Sequence, residues 1–146
     1  MTWEEYVGQG LPTPTAADRA RIEQAGGGAV PDDYWDLVRA HQGQVAEEQE
    51  KPAPGHGPEG LGVLLLAISP EAAGRDASYC IATCLRNMAD YYPAGLLPFA
   101  DDTGGNYWAF DFRYGGAPRI VFIDHEIAGE AGITPVAADF TVFMRG

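Results

Sequence analysis

The chain has few positive charges, few cysteines and no long apolar run. Its 146 residues carry nine Lys and Arg against 21 Asp and Glu, a formal net charge of −12. This negative field repels nucleic-acid phosphates and anionic membranes, so we expect neither as a partner and favour a cationic partner. The longest apolar run, residues 63–68, is far shorter than the roughly 20 residues that span a bilayer.

A secretory signal is also missing from the first residues. Glu4 and Glu5 lie where such a signal would carry a basic region followed by an apolar one. We therefore expect a cytoplasmic protein.

The two cysteines, Cys80 and Cys84, are four residues apart in a segment with helical periodicity. This spacing places both on one face of a helix. Two thiols are too few for a zinc site. We favour small residues packed on a core-facing stripe, and an intrahelical disulfide or redox switch is the alternative.

Length and composition indicate one domain. A chain of this size with 46% hydrophobic residues can bury a single core. Residues 1–14 contain two prolines and predict an arm or a short helix, and residues 15–146 predict the domain itself. Residues 45–60 are rich in Glu, Pro and Gly, which predicts a long exposed loop.

Helical signals come first along the chain. Thr15 is a good N-cap for a helix over residues 16–25, and Pro31 with the acids after it starts a second helix. Residues 62–69 predict a short buried strand. A further helix, capped by Asp76 or Ser78, is indicated by an apolar rhythm that continues until Pro93.

Beyond Pro93 the period changes from 3.6 to 2. Strands are predicted at residues 96–100, 106–114 and 119–124, which together indicate an antiparallel meander. In the second strand Trp108, Phe110 and Phe112 share one face, because they alternate with other residues: Tyr107, Ala109, Asp111 and Arg113. Residues 135–144 predict a closing helix.

No pattern with catalytic residues stands out. Residues 55–60 match G-x-G-x-x-G. A dinucleotide site needs a strand before this motif and a helix that opens at its end, but here prolines precede the motif and one lies inside it. Asp124, His125 and Glu126 are three adjacent potential metal ligands, yet neighbours on a strand point to opposite faces. We therefore expect no cofactor and no metal, and a metal-dependent enzyme using these three residues is the least favoured hypothesis.

A mixture of acids and aromatic residues follows the turn Asp101-Asp102-Thr103-Gly104-Gly105. The acids suit a hairpin turn, because their short side chains bond their own backbone. Exposed tyrosines beside carboxylates are typical of recognition surfaces. The candidate partner-binding residues are Asp101, Asp102, Tyr107, Asp111, Tyr114 and Glu126.

The same region carries a family resemblance. Residues 97–111, LPFADDTGGNYWAFD, followed by residues 120–126, IVFIDHE, resemble the central signature of the SUKH superfamily. Residues 30–34, VPDDY, and residues 137–143, AADFTVF, look like the family's first motif helix and its closing helix. The chain departs from the family at Gln42, where Asn is common before Gly, and at Asn106, where an acid is common.

This resemblance implies an α+β domain with an antiparallel sheet flanked by helices. It also implies a protein-binding module with no catalytic residues. Bacterial members are mostly immunity proteins, which neutralise a cognate polymorphic toxin inside the producing cell. Many such toxins are nucleases with basic clefts, which suits the acidic chain. The alternative is a regulatory scaffold that binds an endogenous partner, as in eukaryotic relatives.

Overall fold

The computed structural model describes residues 1–47, 49–102 and 104–146, so Glu48 and Thr103 lie outside the described residues. In chain order the strands are Trp3–Glu5 (β1), Gln44–Ala46 (β2), Glu50–Ala53 (β3), Gly57–Gly60 (β4), Leu96–Asp101 (β5), Tyr107–Asp111 (β6), Arg119–Ile123 (β7) and Ile133–Ala137 (β8). The helices are Ala16–Gly26 (α1), Asp32–His41 (α2), Pro70–Ala73 (α3), Ile81–Met88 (α4) and Phe140–Arg145 (α5), with 3-10 turns at Gly74–Tyr79 and Glu130–Gly132.

A four-stranded antiparallel meander, β5-β6-β7-β8, forms the main sheet. The register between β6 and β7 places Trp108 opposite Phe122 and Phe110 opposite Ile120. Because side chains alternate across a strand, these four residues point to the same face. The predicted meander and the α+β class are confirmed, and β8 adds a fourth strand that the sequence patterns did not indicate.

The main core lies between this aromatic face and helices α1, α2 and α5. At its centre the buried ring of Tyr34 meets Phe110 edge-on, with ring centroids 4.9 Å apart. Phe140 of α5 also meets Tyr34 edge-on at 5.6 Å, and Trp108 lies 5.2 Å from Phe143. Edge-to-face aromatic pairs add about 0.5–1.5 kcal/mol beyond the burial of their area. The sheet and helices are therefore joined by aromatic packing.

The opposite face of the sheet carries a second, smaller cluster. Ala109, Val121 and Ile123 are buried there and pack with Met88 at the end of α4. The meander is thus covered on parts of both faces. This second face bears the candidate site.

The predicted starts of α1 and α2 are confirmed. The Thr15 side chain accepts a hydrogen bond from the Asp18 amide at 3.2 Å, and the Asp18 carboxylate accepts one from the Thr15 amide at 2.8 Å. This reciprocal capping box satisfies two amides that the first helical turn leaves unpaired. The second helix begins at Asp32, directly after Pro31.

The expected exposed loop at residues 45–60 is instead largely strand. β3 and β4 form an antiparallel hairpin in which Pro52 lies opposite Pro58, and β2 pairs with β1 of the N-terminal arm. The prolines misled the prediction because each strand of a two-stranded ribbon has an unpaired edge, where a missing amide donor costs nothing. Residues 3–5 are accordingly a strand and not part of a short helix.

Lys51 connects the β3–β4 hairpin to α5. Only 1% of this residue is exposed, and its ammonium donates to the Met144 carbonyl at 3.2 Å and lies 5.2 Å from the Phe143 ring centroid. Burial lowers the pKa of Lys51. The bond satisfies a carbonyl in the last turn of a helix, where cations are favourable.

Of the predicted strand 62–69, residues 62–68 are buried, but they form isolated bridges instead of a continuous ladder. Leu64 bridges to Ala100, and Leu66 bridges to Cys80. The segment therefore changes partners along its length, which a composition pattern does not indicate.

Two predicted helices begin later than expected. α4 starts after Cys80 and follows a 3-10 turn, while neither Asp76 nor Ser78 is its cap. The closing helix α5 starts after Asp139, which accepts a hydrogen bond from the Val142 amide. Residues 133–137 form strand β8 instead. Pro135 is tolerated in this strand because β8 lies at the edge of the sheet.

Replacing Tyr34 with Phe should leave the protein as stable or make it more stable. Among the described residues the buried Tyr34 hydroxyl has no hydrogen-bond partner, so it is desolvated without compensation. We expect the free energy of unfolding of Tyr34→Phe to be unchanged or higher by up to about 1 kcal/mol. Urea denaturation followed by circular dichroism measures it.

Tyr92→Phe is the matched control, since it deletes the same atom. The Tyr92 hydroxyl lies 2.6 Å from the Asp124 carbonyl and 3.0 Å from the Ile127 carbonyl. Its removal should lower the free energy of unfolding by about 1 kcal/mol. Equal losses in the two variants would contradict the assignment of Tyr34.

Candidate functional site

Asp102 shapes the β5–β6 turn and is 5% exposed. Its carboxylate accepts hydrogen bonds from the amides of Gly104 at 2.7 Å and Asn106 at 2.8 Å, and from the Asn106 side-chain amide at 2.8 Å. Thr103, in the same turn, lies outside the described residues. All three donors belong to the turn itself, so the Asp102 carboxylate stabilises the turn and is not available to a partner.

Asp101, the neighbouring acid, is directed towards the segment beside β5. Its carboxylate accepts a hydrogen bond from the Val63 amide at 2.6 Å, and its carbonyl accepts one from the Gly62 amide at 2.7 Å. Burial raises the pKa of Asp101 to about 6, and the nearby Asp102 also raises it. A Cβ on Gly62 would overlap the Asp101 side chain, so the two segments approach closely because residue 62 is glycine.

Asp111 is buried at the other end of β6 and is 2% exposed. Arg113 and Arg119 each donate to its carboxylate at 2.9 Å. Burial acts to raise the pKa of Asp111, but the hydrogen bonds from the two arginines outweigh it and the pKa is lowered. Asp111 therefore holds an internal ion network and is withdrawn from the predicted contact surface.

Tyr114 is the most exposed of the predicted aromatic residues, at 68%. Its ring lies over two guanidinium groups, with centroid distances of 4.6 Å to Arg119 and 5.3 Å to Arg113. Such cation–π contacts hold the ring on the surface. Tyr114 remains available to a partner, but it lies beyond the opposite end of β6 from Tyr107.

Tyr107 and Glu126 are brought together in a groove of about 430 Å³ on the second face of the sheet. The groove opens between the end of α4 and the loop that follows β7. Its lining comprises Asn87, Met88, Tyr91, Tyr92, Gly105, Tyr107, Ile123, His125, Glu126 and Ala128. We call this the α4 groove.

Two tyrosines after α4 give the α4 groove a fixed wall. The Tyr92 hydroxyl donates to the carbonyls of Asp124 and Ile127, and the Gly129 amide donates to the Tyr91 carbonyl at 2.8 Å. These bonds attach residues 124–129 to the end of α4. The Tyr91 side chain is 61% exposed, which makes it a functional candidate that sequence patterns did not single out. The available signal was a tyrosine at position 91, two residues before Pro93, that does not belong to the apolar pattern of the helix.

The side chains of the adjacent residues Asp124 and His125 have different partners. His125 Nδ1 lies 2.7 Å from the Asn106 side-chain oxygen, and one oxygen of Asp124 accepts the Glu126 amide at 2.9 Å. The other Asp124 oxygen is 3.8 Å from Nδ1 of His56. Within the described ranges, no three His, Cys, Asp or Glu side chains are grouped to hold a metal ion. The metal-dependent hypothesis therefore gains no geometric support.

The G-x-G-x-x-G match forms the β3–β4 turn. Gly55 and Gly57 have positive φ angles of 85° and 79°, and Gly57–Gly60 is β4. The dinucleotide motif requires its glycines to precede a helix, which is not the case here. The resemblance to that motif comes from turn glycines.

Cys80 and Cys84 are both buried and free. Burial raises the pKa of each thiol to about 11. A thiol that stays protonated at neutral pH is a poor nucleophile. This environment supports the packing interpretation of the two cysteines.

The α4 groove has an acidic bias. Its lining includes one acidic residue, Glu126, and no Lys or Arg among the described residues. Arg86 lines a neighbouring cavity of about 350 Å³, on the other side of Met88 and Tyr92.

In the described part of the chain, no helix combines the length and apolar character needed to cross a bilayer.

Asp101→Asn should change how stability depends on pH. The folded-state pKa of Asp101 is about 6 against an ordinary value of 3.8. Between these values the folded protein holds a proton that the unfolded chain has lost, so stability falls as pH rises through this window. Asn stays neutral and keeps an oxygen for the Val63 amide. The free energy of unfolding of Asp101→Asn, relative to that of wild type, should therefore increase as the pH rises from 4 to 7.

Urea denaturation at several pH values between these limits measures the difference. Asp90→Asn, at an exposed position, controls for the loss of one negative charge. A difference between Asp101→Asn and wild type that stays constant across the range would contradict the raised pKa.

Comparison with protein families matches residues 13–146 to the SMI1 / KNR4 family (SUKH-1). In the further comparisons, no curated protein and no solved structure gives a significant match. The family match covers more than nine-tenths of the chain and includes the main sheet, α1, α2, α4 and α5. This chain therefore belongs to the SMI1 / KNR4 family (SUKH-1).

Proposed function

We propose that this protein is a bacterial immunity protein that binds a cognate toxin domain and blocks it inside the producing cell. The observation that carries the proposal is the α4 groove, in which exposed tyrosine surface and a carboxylate lie together on a protein of net charge −12. Family membership supports it, since SUKH proteins include immunity proteins. The function is binding, with no catalytic residue and no cofactor.

The distribution of charge favours a basic partner. The protein has nine Lys and Arg side chains. Several of these are engaged internally, in ion pairs or in the case of Lys51 by burial: Arg19, Arg21, Lys51, Arg113 and Arg119. Because these ion pairs engage acids as well, the excess of acids remains, and the net charge of −12 makes the outer field negative. Such a field accelerates association with a positively charged protein and repels nucleic acid and anionic membranes.

Glu126 and Tyr107 are retained from the predicted contact residues, and Tyr91 joins them. Tyrosine is enriched at binding hot spots because its ring buries a large area and its hydroxyl can still hydrogen-bond. Tyr114 is a second candidate contact outside the groove. Asp101, Asp102 and Asp111 act through the fold and are no longer proposed as contacts.

A toxin with a basic catalytic cleft, such as a nuclease, fits this surface. An acidic protein bound over such a cleft would block access of the phosphate substrate and repel its negative charge. Inhibition would then require no chemistry from the immunity protein. Its action would be cytoplasmic, where the producing cell meets its own toxin.

The test is co-expression with the toxin domain encoded beside this gene. We expect cells that express both proteins to survive, cells that express the toxin alone to die, and a complex to co-purify. The association rate should fall steeply as salt increases, because long-range attraction is screened. A toxin variant without catalytic activity provides a viable control for the binding measurement.

Absence of both survival and complex formation for every neighbouring toxin would overturn the proposal. The alternative function is a regulatory scaffold. It would be favoured if the gene lies beside no toxin and the protein instead co-purifies with a regulatory protein of the same cell.

A further inference from the structure

We propose that the α4 groove receives an arginine side chain of the partner protein, with its guanidinium group paired to Glu126 and flanked by Tyr91 and Tyr107. The inference rests on the proposed function for the identity of the partner. It specifies which chemistry of that partner is recognised and where.

The size and walls of the groove suit one long side chain together with its neighbours. Its volume of about 430 Å³ lies in the range of about 300–1,000 Å³ that is common for ligand pockets. Tyr91 comes from the turn after α4, Tyr107 from β6, and Glu126 from the loop after β7. Three separate elements therefore present these groups to one space.

The groove is held in place before any partner arrives. The Tyr92 hydroxyl bonds two carbonyls of the loop, and the Glu126 amide donates to the Asp124 carboxylate. The His125 amide donates to the Asn106 side chain at 2.9 Å, which joins the loop to the β5–β6 turn. A preorganised site loses less entropy on binding than one that must be assembled.

The chemistry of the lining favours a cation. Glu126 provides an exposed carboxylate, and the described lining offers no Lys or Arg to neutralise it. An apolar segment would bury that carboxylate without a partner, at a large desolvation cost. An anionic group would be repelled by it and by the net negative charge.

Arginine fits better than lysine for two reasons. Its planar guanidinium can stack on a tyrosine ring and still present two N–H groups to a carboxylate, whereas an ammonium is a compact, strongly hydrated charge. The protein already uses this combination elsewhere. Arg119 lies 4.6 Å from the Tyr114 ring centroid while donating to the Asp111 carboxylate at 2.9 Å.

A peptide titration tests the inference on the whole chain. The ¹⁵N-labelled protein is titrated with N-acetyl-Gly-Arg-Gly-amide, and parallel titrations use peptides with Lys or Glu in place of Arg. We expect saturable shifts of the amides of Gly105, Glu126 and Ala128 with the Arg peptide, and weaker binding of the other two. Shifts spread over the whole acidic surface, or equal binding of the Lys peptide, would overturn the inference.

Matched variants separate the groove from general charge. Glu126→Gln should weaken binding of the Arg peptide about fivefold, because it removes a charge-assisted pair. Glu71→Gln removes one exposed charge on α3 and should leave binding unchanged. A similar loss in both variants would overturn the site.

The aromatic wall has its own pair of variants. Tyr91→Ala should weaken binding, and Tyr91→Phe should retain it because the ring face is kept. Tyr6→Ala removes another exposed tyrosine outside the groove and should have no effect. Because Tyr91 is mostly exposed, its truncation leaves the core intact, which circular dichroism verifies.

Binding of the toxin domain separates the two proposals. If the toxin binds wild type and Glu126→Gln equally tightly, the groove inference fails and the immunity function stands. If no neighbouring toxin binds but the Arg peptide occupies the groove as expected, the proposed function fails and the arginine site stands.

Discussion

Aromatic packing against one face of the main sheet is the interaction on which the rest of the structure depends. Trp108, Phe110 and Phe122 point to the same side, where Phe110 meets Tyr34 and Trp108 meets Phe143 of α5. Side chains on a strand alternate with a period of two, so this packing also determines the other face. Tyr107 and Asp111 therefore lie on the opposite face of β6, where Tyr107 packs against the second cluster and also contacts residues of the main core.

This division explains why acids with similar sequence contexts have different roles. Asp102 is occupied by amides of its own turn, and Asp111 is neutralised by two arginines. Buried carboxylates are tolerated only when hydrogen-bonded or paired, and both satisfy that requirement. Glu126 lies on an exposed loop, so its charge stays available. The acids of the protein thus fall into two groups, those that stabilise the fold and those that are exposed on the surface.

Much of the local structure followed from residue patterns, because its causes are local. The capping box at Thr15 and the proline-led start of α2 depend on residues within one helical turn. The hairpin at residues 50–60 was missed because its prolines are harmless only at the edges of a small ribbon. Lys51 could not be recognised as buried, since its partner is the carbonyl of Met144, distant in sequence.

By itself, the sequence determined the fold class, the meander with its aromatic face, the acidic charge and the family, since each depends on composition or on short-range spacing. Only the tertiary structure decided which acids are paired internally and which acids and tyrosines line the α4 groove. It united Tyr107 and Glu126 with Tyr91, and it withdrew Asp102 and Asp111. The physical reason is that exposure and pairing depend on segments distant in the chain, which no local pattern of residues specifies.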